Sequence, residues 1–311
     1  MTGVSVFPEL KVNVLVSTYN GEKYLREQLD SLLAQSHKNI HISVRDDGST
    51  DNTVRILKEY ASKYRFIQVA YGENLGVIES FFRLLTDAGE DFDYFAFCDQ
   101  DDIWFPDKIK DAVEEMNTED GNQPILYCSR VEFVDENKNP LGLSRIPGRI
   151  GFGNALVENI AIGCTIVINR KARETILATK PGRIIMHDWW FYLIVSALGK
   201  VIHEKKVNIK YRQHGRNVIG GTASFLLSVY RRTREFLKSG EDAFRVRDQA
   251  IEFRRCYGQL LDDTHARILR RFIESKNTIS TRVQYSLGMD VWRQSSVDTN
   301  ILRVLVLFGY Y

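Results

Sequence analysis

The chain has 311 residues, of which 44% are hydrophobic, a composition typical of a soluble globular protein with one large domain or one domain and an appendage. The net charge of +2 divides unevenly: the body is slightly acidic, whereas residues 231–311 are basic, with 15 basic and 10 acidic side chains. The chain has no nucleic-acid-recognition motif, so nucleic-acid binding is not predicted. Paired Cys-x-x-Cys spacing and long apolar runs do not occur, which argues against zinc, a disulfide framework and a membrane span and predicts a cytoplasmic protein.

Strands and helices are predicted to alternate through the first 117 residues. Apolar and β-branched runs predict strands over residues 12–17, 40–45, 66–70 and 94–98. Apolar residues at helical spacing predict helices over residues 23–34, 53–64, 77–85 and 106–116. This order predicts an α/β fold with a central, mostly parallel sheet flanked by helices.

Polar side chains follow the first, second and fourth predicted strands. They include Tyr19, Asp46, Asp47, Asp99 and Asp101. Because the carboxyl ends of parallel strands meet at one edge of a sheet, we expect these side chains to converge on one crevice. For residues 46–51 the alternative is a tight turn in which Ser49 or Asp51 caps the next helix, and Tyr19 could instead be a core aromatic residue.

Three carboxylates, those of Asp99, Asp101 and Asp102, lie within four residues after the fourth strand. Such a cluster is stable either in open solvent or around a cation, since like charges repel one another. No Gly-x-Gly-x-x-Gly or Gly-x4-Gly-Lys-Ser/Thr motif follows these strands, so a dinucleotide site or a phosphate loop has no support. A divalent cation on the carboxylates would be another way to hold phosphate.

The second half of the chain has fewer regular patterns. Two pairs of short strands are expected, over residues 125–128 with 131–134 and over 201–204 with 207–212, and a mobile loop over 143–153. Asp188 lies where an apolar run meets an aromatic helix start, so it could cap that helix. Beyond residue 220, apolar residues at helical spacing predict a helical appendage.

Four motifs in order resemble those of the family 2 inverting glycosyltransferases. They are residues 16–20 (VSTYN), 45–51 (RDDGSTD), 74–76 (NLG) and 98–104 (CDQDDIW). The resemblance implies a GT-A nucleotide-sugar-transferase fold, a nucleotide-diphosphate sugar donor and a divalent metal, Mg²⁺ or Mn²⁺. It implies a glycosyltransferase domain over 1–220, with a nucleotide-binding half 1–117 and an acceptor-side half 118–220, before the appendage 221–311.

The same resemblance implies roles for individual residues. The nucleotide would be bound by Thr18, Tyr19, Asn20, Asp46, Asp47, Asn74 and Asp99. The metal would be held by Asp101, Asp99 and His214, and the diphosphate by Arg212 and His214. The acceptor would lie near Trp104 and Asp102, and Asp188 would be the catalytic base that takes the proton of the acceptor hydroxyl.

Three runs make the chain look most like bacterial rhamnosyltransferases of polysaccharide assembly. They are residues 97–104 (FCDQDDIW), 186–190 (MHDWW) and 211–217 (YRQHGRN). This likeness implies dTDP-L-rhamnose as donor and a surface polysaccharide or lipid-linked glycan as acceptor. The alternatives are a UDP-hexose transferase of the same fold and a non-catalytic sugar-nucleotide-binding scaffold subunit. The appendage could pack on the core, on a second copy in a homo-oligomer, or peripherally on the inner face of the cell membrane.

Overall fold

The computed structural model describes residues 10–213 and 245–311. This part of the chain divides into two compact units. The first unit contains residues 10–144, 162–174 and 202–213, and the second contains residues 145–161, 175–201 and 245–311. His214, which the sequence predicts to contact metal and diphosphate, lies outside the described residues.

The strands of the described residues confirm the predicted pattern up to residue 98 and depart from it afterwards. They are β1 (Val12–Thr18), β2 (Ile40–Asp46), β3 (Ile67–Tyr71), β4 (Tyr94–Cys98), β5 (Ile103–Trp104), β6 (Ile125–Val134), β7 (Pro140–Leu143), β8 (Val167–Asn169) and β9 (Lys200–Arg212). The first four begin and end within one residue of the predicted bounds.

The helices between these strands confirm the four predicted in the first 117 residues. Within the described ranges the helices are α1 (Leu25–Leu33), α2 (Thr53–Lys63), α3 (Val77–Asp87), α4 (Lys108–Met116), α5 (Phe152–Ala155), α6 (Arg170–Leu177), α7 (His187–Leu198), α8 (Arg245–Tyr257), α9 (Asp263–Glu274), α10 (Ile279–Leu287) and α11 (Ser296–Phe308). Short 3-10 turns occur at Gly163–Thr165 and Gly258–Leu260.

The strands form one sheet in the order β3-β2-β1-β4-β8-β6-β9-β5, with β7 paired to β6. β1 is parallel to β2 and β4, and β2 is parallel to β3. β8 is antiparallel to β4 and β6, and β5 is antiparallel to β9. The predicted parallel sheet is thus found in the first four strands, and the later strands make the sheet as a whole mixed. Only the first four strands are joined by helices that carry the chain back to the same edge, as parallel pairing requires.

Two predicted pairs of short strands are also wrong, because each pair is one continuous strand. Within β6, Ser129 is buried and the Arg130 guanidinium donates to the Ser144 carbonyl (2.9 Å), so polar residues do not interrupt the strand. Within β9, Lys206 forms an ion pair with Asp111 (2.7 Å). The expected loop 143–153 is shorter than predicted, since β7 ends at its start and α5 begins near its end.

The sheet of the first unit is covered on both faces. Adjacent residues of β1, Val14 and Leu15, are both fully buried although successive side chains of a strand point to opposite faces. Helix α1 contributes Leu25, Leu29 and Leu32 to this core. Burial on both faces fixes the register of the strands, and it places the carboxyl ends of β1, β2 and β4 side by side.

The second unit is organised around α7, which is buried on nearly every side. Trp190 packs against the rings of Phe253 and Tyr257 in α8, with centroids 5.9 and 6.1 Å apart. The Tyr257 hydroxyl bonds to the carbonyls of Thr175 and Ile176. In the described ranges, no helix has the length and apolar character needed to cross a membrane.

Candidate active site

The turn after β1 is joined to the turn after β2 by buried polar groups. The Thr18 hydroxyl donates to Oδ1 of Asp46 (3.1 Å), and the Asp47 amide donates to the Thr18 carbonyl (2.8 Å). The side-chain oxygen of Asn20 accepts a backbone amide of the β2 turn at 2.8 Å. Tyr19 lies within this framework and is 47% exposed. The structure thus brings these five predicted residues together and leaves the Tyr19 ring open to a ligand.

Asp47 fixes the loop that carries Asn74. The Asp47 carboxylate forms a buried ion pair with Arg45 and accepts the amides of Leu75 and Gly76, both at 2.9 Å. Asn74 is exposed, and its side-chain oxygen accepts the Gly76 amide at 3.2 Å. Because most of its hydrogen-bonding capacity is directed at the protein, Asp47 shapes the wall of the crevice.

The predicted metal carboxylates lie at the end of β4, beside the β1 turn. Asp99 and Asp101 are half-buried, with part of each side chain accessible to solvent. Between them, the Gln100 carboxamide accepts the Tyr19 amide (2.8 Å) and donates to the Tyr19 carbonyl (3.0 Å). The aromatic residue and the two carboxylates are therefore adjacent parts of one surface.

Trp104 and Asp102 are buried, and this corrects the prediction that they contact the acceptor. Trp104 is 2% exposed, and Nζ of Lys108 lies 3.7 Å from the centroid of its ring. Burial lowers the pKa of Lys108 to about 8. Asp102 is likewise buried, and it accepts the Arg212 amide at 3.1 Å. These side chains support residues 99–102, which we call the carboxylate loop, from the core and present no surface to a sugar.

The donor set at the end of β4 fits a divalent cation at Asp99 and Asp101. Among the described residues, Asp99, Asp102 and Cys164 also bring ligand atoms within 4.8 Å of one another. However, burial and then the neighbouring carboxylates raise the pKa of Asp102 well above its ordinary value, and burial raises that of the Cys164 thiol. Protonated groups are poor ligands. The half-exposed carboxylates of Asp99 and Asp101 are the oxygen donors that Mg²⁺ and Mn²⁺ prefer.

Arg212 is a structural residue, which corrects its predicted contact with diphosphate. It is 1% exposed, and its guanidinium donates to the carbonyls of Asp101 (3.0 Å) and Glu136 (2.8 Å) and pairs with the Glu27 carboxylate. The guanidinium also lies 4.5 Å from the centroid of the Tyr24 ring. With its donors committed to the protein, Arg212 anchors the carboxylate loop to α1.

Asp188 lies in the first turn of α7, in the second unit. Met186, and not Asp188, is the N-cap residue of this helix, so the predicted alternative of a helix cap is wrong. The Trp189 amide donates to Oδ1 of Asp188 (2.6 Å), and the positive end of the helix dipole favours a negative charge here. The side chain is 7% exposed. The neighbouring His187 is buried, which lowers its pKa to about 3 and keeps it neutral.

Two residues that the sequence did not single out organise the crevice. Arg45 is buried and binds Asp47 and the Glu73 carbonyl, and Gln100 binds the backbone of Tyr19. An arginine at the end of an apolar strand is an unusual residue for a buried position, and this signal could have identified Arg45. No comparable signal marks Gln100, because its partner is 81 residues away.

The fold and this crevice define a class of protein. Strands that alternate with helices, an exposed aromatic side chain and a pair of accessible carboxylates at the strand ends are suited to a nucleotide with a charged diphosphate. Together with the glycosyltransferase-like motifs of the sequence, they indicate the class of the nucleotide-sugar-dependent transferases of α/β fold.

Comparison with known sequences gives the family. Residues 13–177 match Glycosyl transferase family 2, and the chain belongs to this family. It is 32% identical over 223 residues to the dTDP-rhamnosyl transferase RfbG of Shigella flexneri, a match covering 68% of this chain and 75% of that protein. It is 30% identical over 213 residues to the uncharacterized glycosyltransferase RT0329 of Rickettsia typhi, covering 65% of this chain and 64% of that one. The chain is thus a glycosyltransferase similar to a rhamnosyltransferase.

Comparison with solved structures confirms the predicted GT-A fold. The structure of S. aureus TarS 1-349 in complex with UDP-GlcNAc has a TM-score of 0.58 and 19% identity, covering 97% of this chain and 80% of that one. The mannosyltransferase PcManGT from Pyrobaculum calidifontis, in complex with GDP-Man and Mn2+, has a TM-score of 0.52 and 16% identity, covering 97% and 81%. At these identities the likeness is one of fold.

Proposed function

We propose that this glycosyltransferase moves L-rhamnose from dTDP-L-rhamnose to a hydroxyl of a growing bacterial surface polysaccharide or lipid-linked glycan, with inversion at the anomeric carbon. The observation that carries the proposal is the 32% identity over 223 residues with a protein named as a dTDP-rhamnosyl transferase. The motif runs at residues 97–104, 186–190 and 211–217 support the same donor.

The nucleoside end of the donor would lie at the β1 turn. An exposed Tyr19 offers a flat surface on which a base can stack. The loop around Asn74, which Asp47 holds through the Leu75 and Gly76 amides, would border the base. Asp46 would act by fixing the turn through Thr18.

The diphosphate end would lie at the carboxylates after β4. Asp101, with Asp99, would hold a divalent cation, which when bound supplies positive charge that stabilises the leaving diphosphate. The half-exposed position of both carboxylates supports this assignment. Buried Asp102 supports the loop from behind through its bond to the Arg212 amide.

Asp188 would be the general base. It takes the proton of the acceptor hydroxyl as that oxygen forms its bond to the anomeric carbon, while the bond from that carbon to the diphosphate oxygen breaks on the opposite side. The products are the glycosylated acceptor, dTDP and a protonated carboxyl group. The Trp189 amide and the start of α7 support a charged carboxylate before the reaction.

A UDP-hexose donor is the second candidate, since TarS, which shares the fold, has been solved with UDP-GlcNAc. Calorimetric titration of dTDP-L-rhamnose, UDP-glucose, UDP-galactose and UDP-N-acetylglucosamine, each with and without Mn²⁺, distinguishes the two. Metal-dependent binding of dTDP-L-rhamnose alone supports the proposal, and preference for a UDP-sugar replaces the donor. Binding without turnover on any glycan acceptor would indicate the non-catalytic scaffold.

We also propose that α10 and α11 contact the membrane surface that carries a lipid-linked acceptor. Both helices expose apolar side chains at helical spacing: Ile279, Val283 and Leu287 on α10, and Val297, Ile301, Val304, Leu307 and Phe308 on α11. Residues 231–311 are also net basic. Apolar helices with nearby positive charge bind anionic lipid surfaces.

Cosedimentation with vesicles of phosphatidylglycerol and phosphatidylcholine tests this contact. Replacing Leu287 and Phe308 together by glutamate should reduce vesicle binding by about tenfold, because each substitution removes apolar area and adds negative charge. Leu260→Glu is the control for an exposed apolar residue outside both helices, since Leu260 is 62% exposed and lies in the 3-10 turn Gly258–Leu260. Equal vesicle binding by the wild type and the double variant would contradict the contact.

A further inference from the structure

Gln100 makes two hydrogen bonds that join the carboxylate loop after β4 to the turn after β1. Its Oε1 accepts the Tyr19 amide at 2.8 Å, and its Nε2 donates to the Tyr19 carbonyl at 3.0 Å. A backbone amide only donates and a carbonyl only accepts, so this orientation of the carboxamide is the one that satisfies both groups. The side chain therefore binds the backbone of Tyr19 as a neighbouring strand would.

The chain has a glycine where this carboxamide packs. A Cβ atom on Gly21 would lie 2.2 Å from Oε1 and 2.5 Å from Cδ of Gln100. The Gly21 backbone is fixed, because its amide donates to the Thr53 hydroxyl and its carbonyl accepts the Leu25 amide at the start of α1. Gly21 thus provides the space that Gln100 fills, and any larger residue would displace the carboxamide.

We infer that Gln100 is a positioning residue that holds the nucleoside end and the diphosphate end of the donor site in one register. The inference rests on the proposed function, which places the base at Tyr19 and the diphosphate at Asp99 and Asp101. Gln100 stands between those carboxylates in sequence and binds Tyr19 in space. Gln100 therefore links the two parts of a nucleoside-diphosphate site by hydrogen bonds within the protein, before any ligand is bound.

The link matters because a nucleoside diphosphate must engage both parts at once. Ordering a loop when a ligand binds reduces the free energy of binding. Because the turn and the carboxylate loop are already joined in the free protein, this loss is smaller. Alanine at position 100 removes both hydrogen bonds. Glutamate keeps the acceptor for the Tyr19 amide, loses the donor to the carbonyl, and adds negative charge beside two carboxylates.

The experiment compares Gln100→Ala, Gln100→Glu, Gly21→Ala and the double variant Gly21→Ala with Gln100→Ala. Gln284→Ala is the matched control, since Gln284 is an exposed glutamine of α10. The affinities of dTDP with Mn²⁺ and of Mn²⁺ alone are measured by calorimetry and electron paramagnetic resonance. Thermal unfolding of each variant is measured without ligand.

Gln100→Ala should bind dTDP about tenfold more weakly and Mn²⁺ alone within twofold of the wild type, because register affects only a ligand that spans both parts. Gln100→Glu should show a similar loss of dTDP affinity, while its added negative charge should tighten the binding of Mn²⁺ alone. Gly21→Ala should reproduce the loss, and the double variant should be no worse than either single variant, since the same contact is lost once. A residue that merely stabilised the fold would lower the unfolding temperature without this split between dTDP and Mn²⁺. Wild-type affinity for dTDP in Gln100→Ala would overturn the inference.

The result is separable from the identity of the donor. If the wild type binds UDP but not dTDP, the proposed donor fails and the same comparison is made with UDP. If it binds neither, the proposed function fails, and the unfolding temperatures still test the contact. Losses of Gly21→Ala and Gln100→Ala that add in the double variant would overturn the link whatever the nucleotide.

Discussion

The carboxyl ends of β2 and β4 each carry two acidic residues that the sequence predicts to contact the donor, Asp46 with Asp47 and Asp99 with Asp101, and the two pairs differ in their surroundings. Asp46 and Asp47 are 2% and 3% exposed and accept hydrogen bonds from the protein on both carboxylates. Asp99 and Asp101 are half-buried and reach solvent. The residue type is the same, so the neighbouring strands decide what each carboxylate can do.

The sheet explains the difference. β2 lies between β1 and β3, which are both parallel to it, so the turns of both neighbours deliver hydrogen-bond donors to its carboxyl end. β4 lies between β1 and β8, and β8 is antiparallel, so a turn that follows a parallel strand approaches from one side only. We therefore interpret the β2 carboxylates, Asp46 and Asp47, as structural groups that form the wall of the crevice. We interpret the β4 carboxylates, Asp99 and Asp101, as the ligand site, which binds the metal ion.

The largest effect is expected at Asp188, a carboxylate that belongs to neither pair and lies in α7. Asp188→Asn keeps the size of the side chain and removes the proton acceptor, so the transfer rate should fall by about 10² to 10⁴-fold. Donor affinity should stay within twofold, since the base contacts the acceptor. Single-turnover transfer and donor calorimetry measure the two quantities. Transfer at the wild-type rate would show that another group takes the proton.

Removal of a wall carboxylate should destabilise the fold. Asp47→Ala leaves the buried Arg45 without its ion pair and the Leu75 and Gly76 amides without an acceptor, which should lower the free energy of unfolding by about 3 to 5 kcal/mol. Glu59→Ala, at an exposed pair with Arg26, is the control and should leave the urea midpoint close to that of the wild type. Urea unfolding measures the stability of both variants. Equal midpoints for Asp47→Ala and Glu59→Ala would contradict the structural role assigned to Asp47.

Removal of a ligand-site carboxylate should do the opposite. Asp101→Asn should weaken dTDP binding by about 10 to 100-fold in the presence of Mn²⁺, because a charged ligand is lost, and should leave the urea midpoint near that of the wild type. Without Mn²⁺ the two proteins should bind dTDP alike. A loss of affinity that is the same with and without Mn²⁺ would contradict the metal assignment.

The smallest effect concerns His187, beside the proposed base. Burial lowers its pKa from 6.5 to about 3 in the folded chain, so as the pH falls below 6.5 the unfolded chain binds a proton that the folded chain does not. Stability is therefore lost between pH 6.5 and 3, by about 2 kcal/mol from pH 7 to pH 5. The difference in unfolding free energy between the wild type and His187→Phe should change by this amount over that pH range. A constant difference would show that His187 has the same pKa in the folded and the unfolded chain.

Local pattern predicted the first half of the fold because its elements are set by nearby residues. β4, for example, has the predicted bounds, since five apolar residues lie between Asp93 and Asp99. β6 and β9 were divided in two by polar residues whose partners, such as Ser144 and Asp111, lie elsewhere in the chain. A polar interruption in a strand cannot be distinguished from its end without those partners.

The sequence predicts that polar residues at the ends of β1 and β2 lie together, as they do in the structure, but it does not predict which of the candidate residues are buried. Trp104 follows an acidic run, where an exposed aromatic residue would suit a sugar, but Lys108 and the core cover it. Arg212 lies in a basic segment suited to phosphate, but its guanidinium forms an ion pair with Glu27, which lies 185 residues earlier in the chain. Burial and pairing of this kind depend on tertiary contacts, which no local pattern contains.

The measurement that tests the central claim most directly is the position of Mn²⁺ in crystals grown with dTDP and Mn²⁺. Anomalous scattering locates the ion without assumptions about its ligands. We expect one peak at the Asp99 and Asp101 carboxylates and none at Asp46 or Asp47. A dTDP molecule bound with the ion at the β2 carboxylates, or bound with no ion at all, would contradict the assignment of the two turns.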